Sequence, residues 1–187
     1  LGECSNNGVI CQEEICYLKV GRTYTNPIIS DKSVPDPTVI RANDGYFYLY
    51  ATQTSTYWMP IYRSKDLVNW EYQKTAFTQA TKPSLSGGGA FWAPEMTYIN
   101  GKYVLYFSWA KMNGADVSYT AVAVSDSPLG PFPNSKALIT NEEFGSNVID
   151  QFYYEENGKK YMFFGSFKGI YVTELTDDGL SVKRDVD

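Results

Sequence analysis

The sequence contains no histidine. That excludes Ser-His-Asp and Cys-His nucleophilic catalysis within these 187 residues, together with the common zinc sites built on imidazole. Acid–base chemistry would fall to carboxylates, tyrosines or lysines. Cysteine is confined to Cys4, Cys11 and Cys16, and nothing after residue 16 carries a thiol. A C-x6-C-x4-C spacing matches no metal-binding pattern; it reads as one disulfide with a spare thiol, or as three unpaired thiols. No apolar run approaches the roughly 18 residues that a membrane helix needs. No block of Lys and Arg occurs, and the formal net charge is −5, so nucleic acid is not an expected partner. No convincing amphipathic helical period stands out.

Aromatic residues, by contrast, reach 16%, within a hydrophobic fraction of 43% that is enough for a real core. An acidic, aromatic-rich chain with no membrane helix suits a neutral polar ligand. From residue 25 onward the chain reads as short strands rich in Tyr, Phe, Val and Ile, which suit a half-buried pleated surface. The candidates are 38–41, 46–52, 61–64, 70–76, 96–99, 103–109, 120–125, 137–140, 148–155, 161–167, 169–175 and 180–183. Turn signals separate them: Asn43-Asp44-Gly45, Asn100-Gly101, Asn157-Gly158 and Asp178-Gly179.

These turns expose a repeat. Gly45, Gly101 and Gly158 each open an aromatic strand, at spacings of 56 and 57 residues. About four strand candidates fall in each copy, the signature of a β-propeller blade. Residues 1–23 read as a Cys-bearing lead-in, and residues 24–187 hold about three four-stranded blades of an all-β propeller. Because propellers close with four to eight blades, the remaining ones are expected from the rest of the chain or from a second fragment.

Two carboxylates share a place in the repeat. Asp36 lies nine residues before Gly45, and Asp150 lies eight before Gly158. In the second copy the nearest acid is Glu95, six before Gly101 and poorly aligned. Asp36 stands between Pro35 and Pro37, and a residue preceding proline is biased toward extended backbone. The spacing predicts that Asp36 and Asp150 converge at one end of a central channel. Carboxylates flanking a sugar are what glycoside hydrolysis requires. Like charges held close separate the pKa values of acid and base. Phe91, Trp92 and Trp58 are the candidate faces for a sugar ring, while Trp70 and Trp109 read as core. Glu95 reads as a substrate contact or as a residue behind the site.

Further segments carry a resemblance: Asn26-Pro27 followed by Val34-Pro35-Asp36-Pro37, the Ser64-Lys65-Asp66-Leu67-Val68-Asn69-Trp70 run, Trp92-Ala93-Pro94-Glu95, the Ala123-to-Phe132 run containing Ser127-Pro128-Leu129-Gly130-Pro131, and Val148-Ile149-Asp150 with Gly165-Ser166. In this order and spacing they resemble glycoside hydrolase family 43, the five-bladed propeller arabinanases, arabinofuranosidases and β-xylosidases. The resemblance covers residues 24–187. It implies an inverting hydrolase of arabinose- or xylose-containing plant polysaccharide, with Asp36 as general base and Asp150 as the aspartate that tunes the acid's pKa and positions substrate. The family's general acid is a glutamate in a later blade, often in an E-G-P context. That motif is absent here, so the acid is expected outside this chain. Gln151 stands where the family usually has proline, and the channel histidine that some arabinanases place near a metal ion is missing. No cofactor is expected, with a structural metal ion in the channel left open. The expected place of action is extracellular or periplasmic. The alternatives are a non-catalytic carbohydrate-binding propeller and a related five-bladed enzyme acting on fructan or sucrose.

Overall fold

The computed structural model describes residues 24–30, 32–111, 117–144 and 148–184, and before residue 24 the backbone of two short strands. The chain divides into two compact units, Leu1–Ser30 and Asp31–Asp187. In the first, β1 (Val9–Gln12) and β2 (Ile15–Leu18) form an antiparallel hairpin whose register sets Cys11 opposite Cys16. Cys4 lies outside the described residues.

The second unit is three antiparallel meanders. Sheet one runs β3 (Thr38–Arg41), β4 (Phe47–Tyr50), β5 (Pro60–Ser64) and β6 (Trp70–Thr75). Sheet two runs β7 (Ala90–Ile99), β8 (Lys102–Ala110), β9 (Ser118–Ser125) and β10 (Lys136–Thr140). One helical turn, α1 (Asn141–Phe144), follows. Sheet three runs β11 (Phe152–Glu156), β12 (Lys159–Ser166) and β13 (Gly169–Leu175). The segment expected as its fourth strand, 180–183, adds to β13 through a bridge between Leu175 and Val182 and a 2.8 Å bond from the Lys183 amide to the Glu174 carbonyl.

Local chemistry explains the turns. Asn100 and Gly101 have φ of 50° and 81°, and Asn157 and Gly158 have 52° and 76°. Two successive left-handed residues are what a tight hairpin between twisted strands demands, and Asn-Gly is the pair that reaches that region most easily. Between β5 and β6, the Ser64-to-Trp70 motif folds on itself. Asp66 accepts from the backbone amides of Asn69 and Val68 and from the Asn69 side chain, which holds its carboxyl well below the usual range. Trp70 donates its indole N–H to the Leu67 carbonyl, 3.0 Å away. This motif builds a turn and touches no candidate site residue.

Strand β8 is the hinge of the packing. Every residue from Tyr103 to Ala110 is buried, because both faces of its sheet are covered. Alternate side chains point to opposite faces of a strand. Tyr103, Leu105, Phe107 and Trp109 join a core shared with sheet one, including Tyr50, Met59, Phe77 and Phe91. Val104 and Tyr106 join a second core with Met162, Phe164 and Leu175 of sheet three. The Ser125-to-Phe132 loop plugs the first core: Phe132 is fully buried there, and Tyr50 donates its hydroxyl to the Pro128 carbonyl. Trp109 is core, as its pattern suggested, whereas Trp70 is only half-buried, its indole spent on closing the turn at Leu67.

Strand β7 begins at Ala90, earlier than the expected 96. Proline argues against a strand interior because it cannot donate to the ladder. Pro94 is accommodated because the register shifts between Trp92 and Glu95, a bulge at which that donor is not needed. Conversely, the segment before Phe152 is not strand, and Asp150 has φ 56°.

Candidate active site

The three sheets present an equivalent residue just before or at the start of the inner ladder. These are Asp36, Ala93 and Asp150, with φ of 50°, 39° and 56°. Positive φ is uncommon outside glycine and tends to mark turns or functional sites. Three repeats of it at one blade position show that the backbone geometry belongs to the blade. Two expectations change here. The blade-two counterpart of the aspartates is Ala93, not Glu95; Ala93 sits eight residues before Gly101, the spacing that separates Asp150 from Gly158. And Asp36 is left-handed, not extended. Thr52 overrides the local bias of Pro37 by donating its amide to the Pro35 carbonyl at 3.0 Å and its hydroxyl to Asp36 Oδ2 at 2.8 Å.

Asp36 and Asp150 are both exposed. They lie close enough to interact: partial desolvation raises the Asp150 carboxyl above the ordinary aspartate range, and the Asp36 charge raises it further. The sign follows from linkage. A raised folded-state value means that Asp150 favours the folded chain at acid pH and costs stability as pH climbs through that value. Asp36→Asn should therefore bring the Asp150 titration midpoint down by removing the like charge. Carboxyl ¹³C NMR across an acid titration checks this, and an unmoved midpoint would mean that the two groups do not sense one another.

Glu95 lies two residues past Ala93 on β7 and is half-buried. Burial pushes its carboxyl up. Opposing that, Thr38 donates its hydroxyl to Oε2 at 3.0 Å, and the Tyr153 amide of β11 also donates to it. Glu95 thus joins the inner strands of sheets one and three to sheet two, which favours the position behind the site over a substrate contact.

The aromatic candidates separate. Phe91 is 1% exposed, with Phe77 stacked on it at 4.5 Å and Trp109 edge-on at 4.8 Å. A ring enclosed in the core cannot stack on a sugar, so its expectation as a substrate contact is overturned. Trp92 is half-buried and pairs in register with Ser108, which places it on the face turned toward sheet three. Trp58 is half-buried against the first core, with the Lys82 ammonium 5.2 Å from its ring centroid.

Sequence reading missed the polar groups around the aspartates. Ser108 is completely buried, accepts from the Asp150 amide at 3.0 Å and donates to Gln151 Oε1 at 3.0 Å. Gln151, also buried, donates to the Ala93 carbonyl. The Ala93 amide donates to Thr52 Oγ1 at 2.7 Å. A Ser inside an aromatic strand and a Thr just after one carry no local signal of such roles; only the Ala93 spacing and the Gln151 departure from the family's proline were available. Among the described residues no group of three or more Cys, Asp and Glu is placed to hold a metal ion.

The model of glycosyl hydrolases family 43 matches residues 24–187. The chain is 30% identical over 156 residues to an extracellular endo-α-(1→5)-L-arabinanase of Bacillus subtilis, covering 78% of this chain and 47% of that protein. It is 31% identical over 150 residues to a xylan 1,3-β-xylosidase of a Vibrio species, covering 75% of this chain and 26% of the relative. The fold superposes on an α-L-arabinanase of Cellvibrio cellulosa complexed with arabinohexaose, with a TM-score of 0.66 and 28% identity, over 82% of this chain and 51% of that one. The chain thus spans about half the length, or less, of the relatives it matches. The neighbouring structures of this family are five-bladed propellers, and the three sheets are blades of that ring. With the motif order, the paired aspartates and a family match that runs from residue 24 to the last residue, the chain belongs to glycosyl hydrolases family 43.

Proposed function

We propose that the protein is an inverting glycoside hydrolase acting on arabinose- or xylose-containing polysaccharides or oligosaccharides. The observation that carries this reading is the pair Asp36 and Asp150, held at equivalent blade positions and close enough for their charges to interact. Asp36, oriented by the Thr52 hydroxyl, would take a proton from a water on one face of the anomeric carbon. A glutamate from a blade beyond these three would protonate the leaving oxygen. Room for that water requires the two carboxyls to stand roughly 6.5–9.5 Å apart. Asp150, negative near the acid, would keep the acid's pKa raised and so keep it protonated at working pH.

The relatives support the substrate class, being named for arabinan and xylan cleavage. An extracellular place of action fits this reading, and one matched arabinanase is named extracellular. Among the described residues no helix is long and apolar enough to cross a membrane.

The test is ¹H NMR of the first product released from arabino- and xylo-oligosaccharides by the full-length protein. Single displacement yields the inverted anomer before mutarotation. A retained anomer would overturn the mechanism. Calorimetric binding with no product would favour a carbohydrate-binding propeller instead.

A further inference from the structure

In blades one and two of this chain a proline follows the left-handed residue: Asp36-Pro37 and Ala93-Pro94. In blade three the residue is Gln151, 5% exposed, with both ends of its carboxamide engaged. Its side chain joins two hydrogen-bonded segments into one path. The Asp150 amide donates to Ser108 Oγ, whose hydroxyl donates to Gln151 Oε1. Gln151 Nε2 donates to the Ala93 carbonyl. On the other side of that residue, the Ala93 amide donates to Thr52 Oγ1, whose hydroxyl donates to Asp36 Oδ2. Each donor along the path faces toward Asp36, so each hydroxyl both accepts and donates without conflict. The Ala93 carbonyl and amide belong to different peptide groups, so the two segments are coupled through the position of the Ala93 backbone and not as one polarised chain. The path starts at the backbone of one aspartate and ends at the carboxylate of the other.

We propose that Gln151 is a positioning residue that sets the geometry of Asp36 relative to Asp150 by tying blade three to the Ala93 peptide of blade two. Proline in its place would keep the backbone and lose both bonds. A methylene-sized displacement of a reacting group is costly, because about 1 Å of misplacement can lower turnover by about 100-fold. The inference rests on the catalytic reading of Asp36, but its first measurement does not depend on it.

Two variants of the full-length protein test this. Gln151→Pro copies the residue of the other two blades, whose backbones already accept proline after φ of 50° and 39°. Gln151→Met keeps the volume without the polar atoms. Selective ¹³C labelling of aspartate carboxyls gives the direct readout: the Asp36 resonance should move in both variants although residue 151 lies in another blade. If it stays put in a folded variant, the relay does not exist. For the enzyme, kcat on oligosaccharide should fall about 10- to 100-fold with KM little changed. In a double-mutant cycle with Thr52→Val, the two losses should fail to multiply, since both break one path. A lowered melting temperature with unchanged kcat and an unmoved Asp36 resonance would make Gln151 a packing residue and overturn the proposal. A moved resonance in a protein that shows no turnover as wild type would leave the relay standing and sink the hydrolase reading.

Discussion

Asp36→Asn is expected to lower turnover of arabino- or xylo-oligosaccharide by about 10²–10⁴-fold, the range a positioned general base contributes. Asparagine suits the site structurally. It tolerates the left-handed φ of 50°, and its carbonyl oxygen can still accept the Thr52 hydroxyl. It cannot take a proton from water. Folding and ligand binding should therefore survive, and the loss should appear in kcat. Steady-state kinetics beside a denaturation curve separate the two. Wild-type turnover in a folded Asp36→Asn protein would remove Asp36 from the base role and would leave the convergence of the two aspartates without a catalytic meaning.

The second large effect concerns stability. Trp109→Ala should cost about 3–5 kcal/mol, the range for truncating a large buried aromatic. Trp109 is 2% exposed and meets Phe91 edge-on at 4.8 Å. Its indole N–H donates to the Leu85 carbonyl at 3.1 Å. Gly88 passes so close that a Cβ there would fall 2.0 Å from the indole nitrogen. A loop that follows the ring so closely cannot collapse into the space an alanine would leave. The Leu85 carbonyl would also lose its donor. Equilibrium denaturation measures the loss, and a change below about 1 kcal/mol would show that the first core does not depend on this ring. The effect should reach the site, because Phe91 lies next to Trp92 in the strand that also carries Ala93 and Glu95.

Much of the architecture was legible from one dimension. Strands rich in Tyr, Phe, Val and Ile and Asn-Gly turns are local facts, since strand propensity and left-handed turn residues need no distant partner. The 56- and 57-residue spacings then placed Asp36 and Asp150 in register. What misled the reading was equally local. Asp36 looked extended because proline follows it, yet two bonds from Thr52, sixteen residues away, hold it left-handed. Glu95 drew notice as an acid, although the position that corresponds to the aspartates holds Ala93. Phe91 and Trp92 look alike in sequence. One is sealed among Phe77, Phe107 and Trp109 and the other is half-buried on the face turned toward blade three, and a bulge at Pro94 sits beside them.

The chain by itself determined its strand content, its blade repeat, its family and the two aspartates at its candidate site. These follow from short-range periodicity and from residues whose chemistry is unusual wherever they fall. Only the tertiary structure decided which polar residues serve those aspartates. Ser108 meets Gln151 of the next blade at 3.0 Å, and Thr52 accepts from the Ala93 amide of the next blade at 2.7 Å, and both contacts depend on how sheets twist and pack. No sequence window contains that information, because Ser108 lies 42 and 43 residues from its partners Asp150 and Gln151 and meets them only when β8 is buried between two sheets.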